Sequence, residues 1–246
     1  MNLFIVTGTT KGLGAALRDE LARDANNRVI CLSRADATGA AGKPANVYVD
    51  LAAIDSIAPA FAKCESMFAG KRFDRAILLN NAGVVGPVGK FNQVDAVETG
   101  RNISVNLVAP MVLTQLFANA TRGLAERRLV VNISSGAAKR AIAGWSAYCA
   151  AKAGVEMATR AAAAEAAADD PALAICSLAP GVVDTPMQAQ VRGASEQEFP
   201  DVERFRAMKA DGVLRDANAV ALDIVKLIHS GKLTNGGNFD IRELTA

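Results

Sequence analysis

A single histidine in 246 residues removes the multi-histidine zinc and iron centres from consideration. A Ser-His-Asp triad would have to be built on His229. That residue lies in Ile-His-Ser-Gly, the expected end of a helix, so a capping or surface role is the expectation. Cysteine is sparse as well. Cys31, Cys64, Cys149 and Cys176 form no Cys-x-x-Cys pair, and they are expected to be reduced, mostly buried thiols of a cytoplasmic protein that binds no metal. Net charge is nearly absent: 27 Lys+Arg against 25 Asp+Glu leave +2, which excludes a nucleic-acid binder working by bulk charge. Long apolar runs are missing too, because charged residues interrupt each one before the roughly 18 positions that span a bilayer. No membrane helix and no membrane partner are expected. The opening Met-Asn-Leu-Phe-Ile-Val-Thr-Gly has no basic leader and is expected to be a buried strand, not a signal peptide.

Apolar residues make up 51% of the chain, ample for a core. Short β-branched runs alternate with longer alanine-rich amphipathic segments, the pattern of βαβ units around a parallel sheet. The pattern predicts strands near 3–7, 28–33, 46–49, 75–79, 128–133, 173–178 and 238–241, and helices near 12–25, 52–69, 96–120, 146–168 and 217–229. Several strands are apolar throughout, as Leu3-Phe4-Ile5-Val6 and Ala76-Ile77-Leu78-Leu79 are, so both faces of the sheet must be covered. No repeat, linker or composition break divides the chain, and one domain over 1–246 is expected. The stretch 184–214 breaks the rhythm and carries Met187, Val191, Phe199, Phe205 and Met208 among charges. An insertion after a strand's carboxyl end is where such sheets place a substrate lid.

After the first strand comes Thr7-Gly8-Thr9-Thr10-Lys11-Gly12-Leu13-Gly14, leading into a helix. Such glycines let backbone approach a pyrophosphate, and the helix start offers unpaired N–H groups to hold it; a plain strand-to-helix turn is the alternative. Strand two ends in Cys31-Leu32-Ser33-Arg34, without the acid that an NAD-selective site places on the ribose 2′-hydroxyl. Arg34, with Lys11, would instead pair with a 2′-phosphate, so NADP(H) is the expected cofactor. The alternative makes Arg34 a solvated cation and gives the ribose to Asp36. Asp50-Leu51 is placed to meet the adenine amino group, or Asp50 caps the next helix. Strand four ends in Asn80-Asn81-Ala82-Gly83. Its small residues leave room for the adenosine ribose, and its amides can tie strands together; Asn80 is either a cofactor contact or part of a polar turn.

Trp145-Ser146-Ala147-Tyr148-Cys149-Ala150-Ala151-Lys152 opens a predicted helix, which sets Tyr148 and Lys152 one turn apart on one face. An ammonium beside the phenol favours phenolate, and a drop of roughly two to three pH units would make Tyr148 an acid or base near neutrality. A Tyr and a Lys at this spacing also occur on ordinary helix surfaces. Strand five ends in Asn132-Ile133-Ser134-Ser135-Gly136, so either Ser134 or Ser135 could hold a carbonyl oxygen against the tyrosine, or merely stabilise the turn. Pro110 has no N–H to give the carbonyl of Asn106, leaving it for a buried water that could reach Lys152, unless the proline only kinks the helix. Val85, Ile142, Trp145, Met187 and Val191 are candidates for a substrate-pocket wall, or for ordinary core and lid packing.

Together TGTTKGLG, NNAG, Asn106, the Ser135/Tyr148/Lys152 spacing and Pro180-Gly181-Val182-Val183-Asp184-Thr185 resemble the short-chain dehydrogenase/reductases over essentially the whole chain. The resemblance implies an α/β single-domain Rossmann fold, a doubly wound seven-stranded parallel sheet with helices on both faces. It makes Tyr148 the general acid, has Lys152 lower its pKa and bind the nicotinamide ribose, has Ser135 orient the carbonyl, and gives Asn106 a water relay. It also implies cofactor contacts from Gly8, Thr10, Lys11, Gly12, Leu13, Gly14, Arg34, Asp50, Leu51, Asn81, Ala82, Gly83, Pro180, Gly181, Val183 and Thr185, and a homodimer or homotetramer built on helices 96–120 and 146–168. The strings Asn-Ile-Ser-Ser-Gly-Ala and Gly-Trp-Ser-Ala-Tyr-Cys look like the branch of sepiapterin reductases and (S)-benzoin-forming benzil reductases. The implied activity is NADPH-dependent reduction of a ketone or vicinal diketone, a small-molecule carbonyl substrate. In that branch a carboxyl-terminal Asp anchors a pterin, and Asp240 is the matching position, with different neighbours. The other readings are a 3-oxoacyl carrier-protein reductase with a basic entrance near Lys139-Arg140, and an NADP-sensing binding module without chemistry.

Overall fold

The computed structural model describes residues 1–34 and 44–244. Strands β1 (Asn2–Thr7), β2 (Asn27–Ser33), β3 (Ala45–Tyr48), β4 (Phe73–Asn80), β5 (Ala125–Ile133), β6 (Leu173–Ala179) and β7 (Asn238–Asp240) form one seven-stranded sheet in the order β3-β2-β1-β4-β5-β6-β7. Every neighbouring pair is parallel. Between them run helices α1 (Gly12–Leu21), α2 (Ile57–Ser66), α3 (Ala96–Ile103), α4 (Ala109–Thr121), α5 (Ser146–Asp169), α6 (Pro186–Arg192), α7 (Val202–Ala210), α8 (Ala217–Ser230) and α9 (Ile241–Leu244). This is the predicted doubly wound Rossmann architecture, and strand order reverses between β1 and β4, where such sheets open a crevice at their carboxyl edge.

Residue alternation decides which face each strand side chain covers. Leu3 and Ile5 of β1, Ala76 and Leu78 of β4, and Leu173 and Ile175 of β6 join a core under α2, α4 and α5. Phe4 and Val6, Ile77 and Leu79, and Cys176 and Leu178 point the other way, under α1 and α8. Phe4, Leu3, Ile5, Leu17 and Phe117 are fully buried, and each such side chain stabilises the fold by about 1.5–3 kcal/mol relative to exposure. Three of the four thiols, Cys31, Cys64 and Cys176, are buried in these layers and Cys149 is partly buried. Burial pushes Cys64 and Cys176 up to about 12. His229 is exposed near the end of α8, beside Arg75, as its position suggested.

Contrary to the expectation that charge interrupts every apolar stretch, no charged residue lies between Arg101 and Arg122, and residues 96–121 form one continuous helical rod whose length and apolar content alone would suffice to cross a membrane. In the fold its apolar side packs on the sheet through Leu113 and Phe117, and its buried Asn102 and Asn106 serve the site described below. Five residues from Ser104 to Val108 widen the rod into a π turn, in which the N–H of Ala109 reaches back to the carbonyl of Ser104. Pro110 follows at once, so the turn absorbs the hydrogen bond that proline cannot donate. The expected kink is thus a local widening.

The insertion after β6 folds into α6 and α7, two helices that the charge-rich sequence did not reveal. Its two ends are stitched together: Asp184 N–H donates to the Arg215 carbonyl (2.9 Å) and Arg215 N–H to that of Val182 (3.0 Å). Lys209 on α7 closes the base with an ion pair to Asp184 at 2.5 Å. Phe199, Val202 and Phe205 face inward from the insertion and build a third apolar cluster with Val85, Ile142, Trp145 and Val191 above the sheet's carboxyl edge.

Candidate active site

A cavity of about 670 Å³ runs along that edge, from Arg34 past the turn between β1 and α1 to Tyr148 and the third apolar cluster. The residues expected from sequence to bind cofactor, Gly8 to Thr185, all line it, and so do Ser135, Tyr148, Lys152, Val85, Ile142, Trp145, Met187 and Val191. Among the described residues offered as candidates, Asn106 and Asn80 do not reach the wall. Asp36, the alternative ribose ligand, falls outside the described residues.

At the phosphate end the chain packs against itself so closely that only glycine fits. A Cβ on Gly14 would lie 2.1 Å from the Gly8 carbonyl oxygen and 2.4 Å from Asn81 Nδ2. Asn81 holds this turn by donating from Nδ2 to the Thr7 carbonyl at 3.0 Å, while Thr7 Oγ1 accepts the N–H groups of Asn81 (3.0 Å) and Ala82 (2.9 Å). The end of β4 therefore locks the glycine turn against α1's first residues, leaving their N–H groups toward the cavity. Lys11 and Arg34 supply two cations at this end of the wall. Such a cradle, with two cations and a narrow backbone approach, fits a nicotinamide dinucleotide. Asp50 also lines the cavity, and its Oδ1 accepts the N–H of Ala52 at 3.1 Å, so it turns the chain toward α2 as well. Asn80 belongs to the scaffold: it is buried, and its Nδ2 donates to Asn132 Oδ1 at 2.8 Å, tying β4 to β5.

Gly83 occupies a narrower place. A Cβ there would meet Asn106 Oδ1 at 3.0 Å and Lys152 Nζ at 3.9 Å, so the glycine lets these two side chains approach one point. Asn106 is fully buried in the π turn; its Oδ1 accepts the Val84 N–H at 3.1 Å and its Nδ2 donates to the Val84 carbonyl at 2.7 Å. Asn102, one turn earlier, donates to the Gly86 carbonyl at 2.6 Å. The two amides clamp the segment that forms the cavity floor.

At the opposite end, α5 presents Tyr148 and Lys152 on one buried face. Lys152 Nζ donates to the Ile133 carbonyl at 2.7 Å and sits 5.8 Å from the centre of the Tyr148 ring. Ser135 is the serine that acts on the phenol, favouring its ionised form; its Oγ accepts the Ala137 N–H at 3.2 Å. Ser134 turns the other way and donates to Glu156 Oε1 at 2.7 Å, which resolves the choice between the two serines. The expected lowering of the phenol is not what the structure gives. Burial raises the Tyr148 pKa above its ordinary value, and the Ser135 hydrogen bond only partly opposes this. Burial likewise pulls Lys152 down to about 8, with the Glu156 charge acting the other way. The phenolate's loss of water outweighs the help expected from a neighbouring cation. A phenol held in its neutral form is nonetheless equipped to donate a proton.

Trp145 forms the hub of the apolar end. Its ring stacks on Phe199 (4.9 Å between centroids, 9° between planes) and meets Tyr148 edge-on at 5.5 Å. Phe199 and Phe205 were visible in the sequence only as aromatics in a polar stretch, and no periodicity tied them to Trp145. Arg101, Lys139, Arg140 and Arg204 are exposed and line the same cavity, a basic set drawn from three separate parts of the chain. Asp240 reaches the wall too, but its two oxygens are taken by the Arg242 guanidinium at 2.9 and 2.6 Å, and Oδ1 also accepts the Arg242 N–H. That partner holds its carboxyl below the usual range. Among the described residues no cluster of His, Cys, Asp and Glu could hold a metal.

Residues 2–196 match the family model described as short chain dehydrogenase. The chain is 36% identical to the benzil reductase ((S)-benzoin forming) of Bacillus subtilis, over 99% of both chains. It is 29% identical to the sepiapterin reductase of Mus musculus, over 96% of this chain and 95% of the other. Among solved structures, the KRED1-Pglu enzyme superposes with a TM-score of 0.82 at 27% identity, covering 97% of this chain and all of that one.

Proposed function

Since this chain belongs to the short-chain dehydrogenase family and is an oxidoreductase, we infer that it is an NADPH-dependent carbonyl reductase acting on ketones and vicinal diketones, as the benzil reductases to which it is similar do on benzil. One observation carries this reading: a phenol whose pKa burial raises and a serine hydroxyl lie at the junction between a glycine-lined cradle with two cations and an apolar chamber. A nicotinamide dinucleotide, when bound, supplies the hydride.

The chain's own residues do the rest. Lys11 and Arg34 meet the 2′-phosphate at one end of the cleft, and Gly8 to Gly14 admit the pyrophosphate to the start of α1. Pro180, Gly181, Val183 and Thr185 close over the nicotinamide end. Ser135 donates a hydrogen bond to the substrate carbonyl and holds it against Tyr148, whose hydroxyl proton passes to the oxygen as negative charge develops there. Lys152 stands behind the phenol as the charge that stabilises the resulting phenolate, and Asn106 acts through the floor segment that it clamps. Val85, Ile142, Trp145, Met187 and Val191 exclude water and accept an apolar substrate body. The insertion 184–214 serves as the lid that carries two of them.

The test is NADPH oxidation with benzil by wild type and by Tyr148→Phe. Removal of the acid should cost at least about 10²-fold in turnover, while NADPH binding stays within a few-fold of wild type. Turnover by Tyr148→Phe within a few-fold of the parent would overturn the assignment. The basic set Arg101, Lys139, Arg140 and Arg204 favours a second reading, a 3-oxoacyl carrier-protein reductase whose acidic partner docks at this mouth. A 3-oxoacyl thioester assayed beside the diketone separates the two.

A further inference from the structure

One buried charge lies next to the catalytic pair and has no part in the mechanism above. Glu156 follows Lys152 by one turn of α5, on the same buried face as Tyr148. Its side chain is withdrawn from solvent, 8% exposed for the residue as a whole. No Lys or Arg reaches it within ion-pair distance among the described residues. It is held by neutral donors: Ser134 Oγ at 2.7 Å to Oε1 and Asn238 Nδ2 at 3.4 Å to Oε2, with Asn238 fixed in turn by Ser177 Oγ at 2.6 Å. The ends of β5, β6 and β7 thus converge to hold one carboxylate. Ser134 is also the residue after Ile133, whose carbonyl receives Lys152 Nζ, so the two buried charged side chains of α5, Lys152 and Glu156, are anchored on consecutive residues at one strand end.

A buried carboxylate with neutral partners is costly to keep for packing alone, since an apolar residue of similar volume would avoid the loss of hydration. We propose that Glu156 is a positioning residue for Lys152, a fixed countercharge that keeps the lysine in its ammonium form through neutral pH so that it can support Tyr148. The proposal rests on the roles assigned above to Tyr148 and Lys152. The groups facing Lys152 leave no other source for this effect. Its own helix offers Tyr148 and Glu156; β5 and the turn after it offer the Ile133 carbonyl, Ser134 and Ser135; the floor segment and the π turn offer Gly83 and Asn106. Glu156 is the only one of these with a carboxyl group. The direction agrees with the lysine's own proton affinity, which burial draws down to about 8 and Glu156 pulls back up.

Glu156→Gln keeps the shape of the side chain and removes the charge. In the cofactor-free protein, the titration of Lys152 can be followed by NMR on lysine labelled with ¹³C at the ε-carbon, with Lys152→Arg assigning the signal. Its midpoint should move down by roughly one pH unit in Glu156→Gln. The alkaline limb of kcat/KM for NADPH-dependent benzil reduction should move down by the same amount. Glu156→Asp, with the charge kept but drawn back by one methylene, should lie between the two. An NMR midpoint that does not move, or a loss of activity equal at every pH, would overturn the proposal. If Glu156→Gln does not fold, Glu156→Asp decides: a Lys152 midpoint unchanged from wild type sinks the idea. Tyr148→Phe run alongside keeps the two levels apart. A shifted Lys152 midpoint with full turnover in Tyr148→Phe would remove the reductase mechanism and leave the Glu156–Lys152 coupling standing.

Discussion

Replacing Lys152 by Met should yield a protein that is inactive and more stable than wild type. The ammonium is almost wholly buried in α5, and it donates a hydrogen bond to the Ile133 carbonyl at 2.7 Å. Burial lowers its pKa from 10.5 to about 8, a gap of about 2.5, even with Glu156 nearby to oppose it. At 1.36 kcal/mol per pH unit, the folded state therefore disfavours the charged form by about 3 kcal/mol. Methionine keeps the length and the apolar stem without the charge. The Ile133 carbonyl loses its donor at a cost of about 1 kcal/mol, which leaves a net gain of about 2 kcal/mol at pH 7. The pH dependence has a definite sign. The folded-state pKa lies below the unfolded value, so the cost is present in full below about 8 and fades as pH rises toward 10.5, where the unfolded chain still holds a proton that the folded chain has released. The advantage of methionine must shrink across that window. Urea unfolding of both proteins at one protein concentration, at pH 7, 8.5 and 10, reads the difference directly. Comparing the two chains also cancels the contributions of Cys64 and Cys176, whose raised values act on both alike. A Lys152→Met protein less stable than wild type at pH 7, or a gap that widens with pH, would refute the reasoning.

Two further substitutions probe the cofactor end. Gly14→Ala would drive a methyl group to within 2.1 Å of the Gly8 carbonyl, so stability should fall by about 2–3 kcal/mol and NADPH binding, followed by nucleotide fluorescence, should weaken at least about tenfold. A variant with wild-type urea midpoint and affinity would show that the turn is not the tight cradle described. Arg34→Ala should raise the Kd for NADPH about tenfold, equivalent to about 1.4 kcal/mol, and leave NADH within about threefold. Equal losses for the two nucleotides would take the 2′-phosphate away from Arg34.

The sheet was readable because its strands obey local rules. Each of the seven lies within about three residues of its predicted place, since a parallel strand covered on both faces must be an unbroken apolar run between turns. The helices that pack on the sheet were equally plain, with errors at their ends; the one predicted at 52–69 is regular only from Ile57 to Ser66. The lid was not readable in the same way. Helices α6 and α7 are short, with charged and amide residues scattered among apolar ones, and they are held by Phe199 and Phe205 against Trp145, contacts across more than fifty residues that leave no periodic trace. The π turn followed neither propensity nor period; Pro110 marked the disturbance, and packing chose widening over a kink.

By itself the sequence offered the candidates for the chemistry, because helix geometry forces Tyr148 and Lys152 onto one face and sets a glycine turn between strand and helix. It also determined the family, through motifs spread along the chain. Only the tertiary structure decided that Ser135 and not Ser134 faces the phenol, that Asn106 clamps the cavity floor, and that Glu156 is buried on neutral donors, with no Lys or Arg within ion-pair distance among the described residues. It also reversed the expected direction of the tyrosine pKa. Proximity along a helix is a local property, whereas loss of water and the direction a side chain takes are set by every element packed around it.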